Sequence, residues 1–175
     1  MTHSAAVSRL PVLSSILGLA LLTSSCASGL AFVQDDRVEI IAPESHEKVT
    51  LPVTVRWRVD GFRITGRDGG SDPNAGYFGV FVDRAPVPPG KALNWIARDD
   101  RHCLASPGCP DELYLADRDT YSTDQTFFTF AQLPDQDAYR GHETHEVSVV
   151  LLDGTGRRIG ESAWYITLRY DRDVS

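Results

Sequence analysis

The seven residues Val53-Thr54-Val55-Arg56-Trp57-Arg58-Val59 alternate apolar and polar without a break. Successive side chains of a strand point to opposite faces, so this run commits Val53, Val55, Trp57 and Val59 to one buried face. Thr54, Arg56 and Arg58 take the other. Strand after strand follows the same logic. Val38-Glu39-Ile40-Ile41 stops at Ala42-Pro43, and Tyr77 to Val82 is apolar throughout, as an inner strand covered on both sides would be. Thr126 to Phe130 is aromatic-rich after a polar lead-in from Tyr121. Val147 to Leu152 and Ala163 to Tyr170 predict a hairpin around Asp153-Gly154-Thr155-Gly156, whose residues tolerate positive φ. No window of comparable length carries helical periodicity. About seven strands, long polar loops and no helix predict an all-β chain folded as an antiparallel two-sheet β-sandwich.

The N-terminus obeys different rules. A lone Arg9 precedes an apolar stretch from Leu10 to Leu22, and Thr23-Ser24-Ser25-Cys26 follows. A membrane span needs roughly twenty residues, so this shorter core reads as an export signal rather than a transmembrane helix. The run resembles the lipobox of bacterial lipoproteins, with one departure: Thr23 stands where leucine is usual, and Leu22 lies one step earlier. The resemblance implies that residues 1–25 are removed as a signal peptide. Cys26 then becomes a lipidated N-terminus, a thioether-linked diacylglycerol with a further acyl chain such as palmitate on its amine. Residues 26–36 would be the tether and residues 37–175 the domain. Ordinary secretion, with cleavage near Ala27 or Ala31, is the alternative. Either way the protein is exported; with lipid it sits on the periplasmic or extracellular face of a bacterial membrane.

Cysteine usage points the same way. Setting Cys26 aside leaves Cys103 and Cys109, which flank Leu-Ala-Ser-Pro-Gly. In an oxidising envelope a disulfide is the default for such a pair, and closing so short a loop contributes about 2–3 kcal/mol. A zinc half-site is the rival, but no second pair exists to complete it. The formal charge is −7, and becomes −8 when Arg9, the one charged residue among 1–25, leaves with the signal. An acidic surface repels nucleic acid and anionic headgroups through bulk electrostatics, and no nucleic-acid partner is expected.

Two patterns, Pro43-x5-Val49-x-Leu51-Pro52-Val53-x-Val55-x-Trp57 and His145-x-Val147-x-Val149-x-Leu151-x-Asp153-x-x-Gly156, resemble those of bacterial immunoglobulin-like or fibronectin-III-like domains. The resemblance covers most of residues 37–171. It departs from the antibody pattern because Cys103 and Cys109 are too close in sequence to bridge two sheets.

Candidate chemistry is sparse. Gly141-His142-Glu143-Thr144-His145-Glu146 is the densest group of ligand-type side chains, and His142 with His145 could hold zinc or copper. Residues three apart point to opposite faces of a strand, so chelation would require this stretch to curl. If Val147, Val149 and Leu151 face the core, His145 shares their side and His142 does not. The acidic loops Asp68–Asn74, Asp117–Asp119 and Asp135–Asp137 are calcium candidates. The last fails as an EF-hand, since Tyr139 and Arg140 occupy places that need an oxygen ligand and a glycine. Gly154-x-Gly156 belongs to the hairpin, and no nucleophile elbow or phosphate-binding loop occurs. Asp99, Asp100 and His102 lie just before Cys103, as a recognition loop pinned by the disulfide would.

These residues predict a membrane-anchored envelope lipoprotein with a non-enzymatic binding or structural role and no resident cofactor. Its partners are the membrane, through the lipid, and an envelope protein or glycan. An envelope metal-binding protein for zinc, copper or calcium is the alternative, and a hydrolase with loop-borne residues a third.

Overall fold

The computed structural model describes residues 36–137 and 142–171, with the side chain of Ser162 left aside. The class is all-β. Nine strands run through the described residues: β1 (Val38–Ala42), β2 (Lys48–Val49), β3 (Val53–Val59), β4 (Arg63–Ile64), β5 (Ala75–Val82), β6 (Thr120–Thr123), β7 (Phe127–Phe130), β8 (Glu143–Asp153) and β9 (Arg158–Tyr170). Cys26 and the proposed signal lie outside the described residues.

The strands form two sheets. One has the order β1-β3-β7, with Ile40 opposite Trp57 and Val55 opposite Phe128. The other runs β2-β9-β8-β5-β4, with β6 also paired to β5, and curls into a half-barrel. Most pairings are antiparallel, but β2 with β9 and β4 with β5 are parallel. These two two-residue strands raise the count from the expected seven to nine. Segments this short show no period, which is why the sequence does not announce them.

Alternation in β3 does what the pattern predicts. Val53, Val55 and Trp57 are buried and join Phe78, Val80, Val147, Val149, Ile166 and Leu168 in one core fed by both sheets. Trp57 meets Phe78 edge to face at 5.3 Å. The fully apolar β5 and β8 have a second duty. Tyr77, Phe81, Val150 and Leu152 point to the other side of the sheet and pack with Val87, Leu93 and Leu115. Period-two geometry sends neighbours to opposite faces, so a strand buried on both faces reads as a continuous apolar run.

The β8–β9 hairpin closes as expected. The Asp153 carboxylate accepts the N–H groups of Thr155 and Arg157 at 2.9 and 3.0 Å, and Gly156 supplies the left-handed φ of 80°. A Cβ on Gly154 would come within 2.4 Å of the Gly70 backbone nitrogen, so this turn also needs glycine for close approach.

The expectation of no helix needs correction. Between β5 and β6 lie α1 (Arg101–Ala105) and α2 (Glu112–Ala116), preceded by a 3-10 turn over Leu93–Ala97. Five-residue helices complete barely more than one turn, too little for a 3.6-residue period to register. None of the described helices is long and apolar enough to cross a membrane.

Candidate functional site

The connection from β5 to β6 is not the open loop its polarity suggests. Its first part follows the sheet edge: the Gly90 N–H donates to the Arg158 carbonyl at 3.0 Å, and the Arg158 N–H donates back to Lys91 at 2.8 Å. The buried Arg158 guanidinium donates to the carbonyls of Val87 and Glu161, both at 2.7 Å. Val87, Leu93 and Leu115 then seat the connection on the outer face of the larger sheet.

Asp100 organises the second part. One carboxylate oxygen accepts the His102 and Cys103 N–H groups at 3.0 Å each, capping α1. The other accepts the Tyr114 hydroxyl at 3.1 Å and faces Arg118 at 3.5 Å. The Cys103 amide above all, then the Tyr114 hydroxyl, holds this carboxyl below its ordinary range. Asp111 caps α2 by accepting the Tyr114 N–H at 2.8 Å, and Arg118 stacks on the Tyr114 ring at 3.5 Å. Cys103 and Cys109 form the expected disulfide, with Cα atoms 5.2 Å apart, and so tie α1 to the entry of α2.

Of the three candidate recognition residues, Asp100 is therefore engaged inside the connection. Asp99 is exposed and pairs with Arg98 at 3.2 Å, and His102 is exposed on α1. The same connection carries two exposed residues the sequence reading overlooks, Leu104 on α1 and Leu113 on α2, 58% and 76% exposed. A signal existed in α2. Residues two apart on a helix lie about 200° apart around its axis, so only one of Leu113 and Leu115 can face a core. Leu115 does, at 4% exposure.

The histidine cluster is arranged differently from a chelate. His145 is fully buried on the core side of β8. Its Nδ1 stands 2.7 Å from Asp83 Oδ2, and its Nε2 is 3.4 Å from Glu143 Oε2 without hydrogen-bond alignment. The other Asp83 oxygen accepts the Glu146 N–H at 2.8 Å. Asp83 is the partner the sequence reading lacks: it directly follows β5, which pairs with β8, and stands sixty-two positions from His145. His142 is half-buried just before β8. Among the described residues no three His, Cys, Asp or Glu side chains gather in a way that could hold a metal ion. In the acidic loops, Asp72 accepts the Asn74 N–H and pairs with Arg63, and Asp117 ends α2. Both do turn and cap work.

Chemically, then, this side of the molecule is a rigid, capped and stapled platform with outward aliphatic side chains. Among the described residues, His145 is fully buried between Asp83 and Glu143, while Asp83 keeps 14% of its side chain exposed. Comparison with known protein families, curated proteins and solved structures finds no match to this chain.

Proposed function

We propose that the chain is an exported envelope lipoprotein, anchored through lipid on Cys26, whose domain presents a non-enzymatic contact surface. In this reading residues 1–25 are the signal and 26–36 the tether. The domain is an immunoglobulin-like or fibronectin-III-like two-sheet sandwich with one strongly curled sheet. The stapled connection from Ala85 to Ala116 is the working face, and its partner is an envelope protein or glycan.

One observation carries the reading. Leu104 and Leu113 are exposed on a segment held rigid by a disulfide, two capped helices and the Asp100–Tyr114–Arg118 contacts. Ordering a floppy loop costs free energy on binding; a preorganised one has met that cost already on folding. Exposed aliphatic anchors on a rigid platform suit recognition.

The experiment is site-specific photo-cross-linking in intact membranes. A photoreactive residue at Leu113 is expected to yield a discrete adduct that weakens in the Asp99→Ala, His102→Ala double variant. The Asp100 cap is left intact, so the platform survives. Labelling no stronger than from Glu39 on β1 would overturn the surface. Mass spectrometry of the mature N-terminus tests the anchor: a diacylated Cys26 supports it, and an unmodified terminus near Ala27 or Ala31 defeats it.

A further inference from the structure

The stapled connection holds a second feature, away from Leu104 and Leu113. The stretch Arg84 to Pro88 and the side chains of Trp95, Ile96 and Arg98 enclose a cleft of about 300 Å³. That is the small end of ligand-site volumes. Both charged residues lining it are arginines, and no carboxylate lines it. For a chain of formal charge −7 this local sign is unusual.

Arg84 is the telling member. Its Nη1 donates to the Arg118 carbonyl at 2.6 Å, but its Nε is buried without an acceptor. No carboxylate forms an ion pair with it among the described residues. Burial pulls the guanidinium below its ordinary value, and Arg118 and Arg98 push the same way, against Asp119 alone. Buried polar groups almost always find a partner, and an unmet cationic N–H is among the costlier exceptions. Arg98 lines the cleft as well, over the Trp95 ring at 5.0 Å and paired with the exposed Asp99 at 3.2 Å, and Lys91 lies over the same ring at 4.8 Å. Cations therefore collect around one indole that lines the cleft.

We infer that this cleft binds a phosphate group, received between the guanidinium groups of Arg84 and Arg98. A planar carboxylate is satisfied by one guanidinium fork, whereas phosphate offers acceptors in several directions and suits two donors. The apolar lining of Val87, Ile96 and Trp95 leaves room for a short carbon body. Two sources share that chemistry, a soluble phosphate ester and a phospholipid headgroup. The inference stands apart from lipid on Cys26 and from the Leu113 surface, so cross-linking and phosphate binding can fail separately.

The test is calorimetric titration of the full chain, in detergent and at low ionic strength, with inorganic phosphate and then glycerol phosphate. Saturable binding is expected, weakened at least tenfold in Arg84→Met and in Arg98→Gln and at least tenfold weaker for acetate. Arg98 is half-exposed, so its variant keeps the test valid if Arg84→Met folds poorly. Arg84→Lys, which keeps the charge but loses the fork, is expected to recover only part of the affinity. Anchoring the chain in phosphatidylglycerol vesicles separates the sources: phosphate binding that is suppressed relative to detergent assigns the lipid headgroup, and unchanged phosphate binding assigns a soluble ester. No saturable heat with either phosphate in detergent, or an affinity in both arginine variants equal to that of the wild type, would each overturn the inference.

Discussion

Asp100 and Asp119 sit at the two ends of the α1–α2 segment and respond to pH in opposite senses. The Asp100 carboxyl is held down by the amides it caps and the hydroxyl it accepts. A depressed folded value means its contribution is full above the ordinary aspartate range and disappears as pH falls through the folded value. The melting temperature of Asp100→Asn should therefore lie below that of the wild type at neutral pH, with the gap closing in acid. A gap that stays constant with pH would remove the carboxylate from the cap's energetics. Asp119 is raised, by burial first and then by Asp83, with Arg84 and His145 opposing. Its charge penalises the folded state above its folded value, and that penalty vanishes below the ordinary range. Asparagine accepts the φ of 51° at this position. Asp119→Asn should thus melt no lower than the wild type at pH 7, and a clear drop would contradict the sign. For His145, whose nitrogens both face carboxylates, zinc, copper and calcium should leave the melting temperature unmoved. A saturable rise with one ion, lost in His142→Ala, would restore the metal reading.

At the scale of elements, α2 divides its two leucines between opposite fates. Leu115→Ala should cost about 2–5 kcal/mol by emptying part of the second core. Leu113→Ala should stay within about 0.5 kcal/mol, since nothing covers it. Equal losses from the two, read by urea denaturation, would mean that α2 packs differently. Opening the disulfide with Cys103→Ser should cost about 2–3 kcal/mol on loop-closure grounds. Much of this was legible. The cysteine spacing pointed to the bridge, and β3, β5, β8 and β9 announced themselves through alternation or unbroken apolar runs. The helices did not, because Asp100 and Asp111 as caps look like any aspartate in a polar loop until the backbone amides they accept are located. The Asp100–Tyr114 and Asp83–His145 contacts were equally hidden. Such pairs depend on where the chain folds back, and no local pattern records it.

Across the whole molecule, the sequence reported which strands are buried but not what buries them. The unbroken apolar run of β5 correctly implied two covered faces. That the second cover is the polar-looking connection itself, through Val87, Leu93 and Leu115, came only from the fold. The parallel pairings of β2 with β9 and β4 with β5 were silent for the same reason. This double use of one segment limits how the protein can change. In many β-scaffolds a binding loop can be shortened, exchanged or transplanted because the sheets beneath are complete without it. Here, excising the segment would bare Tyr77, Phe81, Val150 and Leu152, an adhesive face across the middle of the larger sheet. Substitution is free at its outward positions, such as Asp99, His102, Leu104 and Leu113, while the inward ones must keep their shape. The segment can be repainted, but it cannot be replaced.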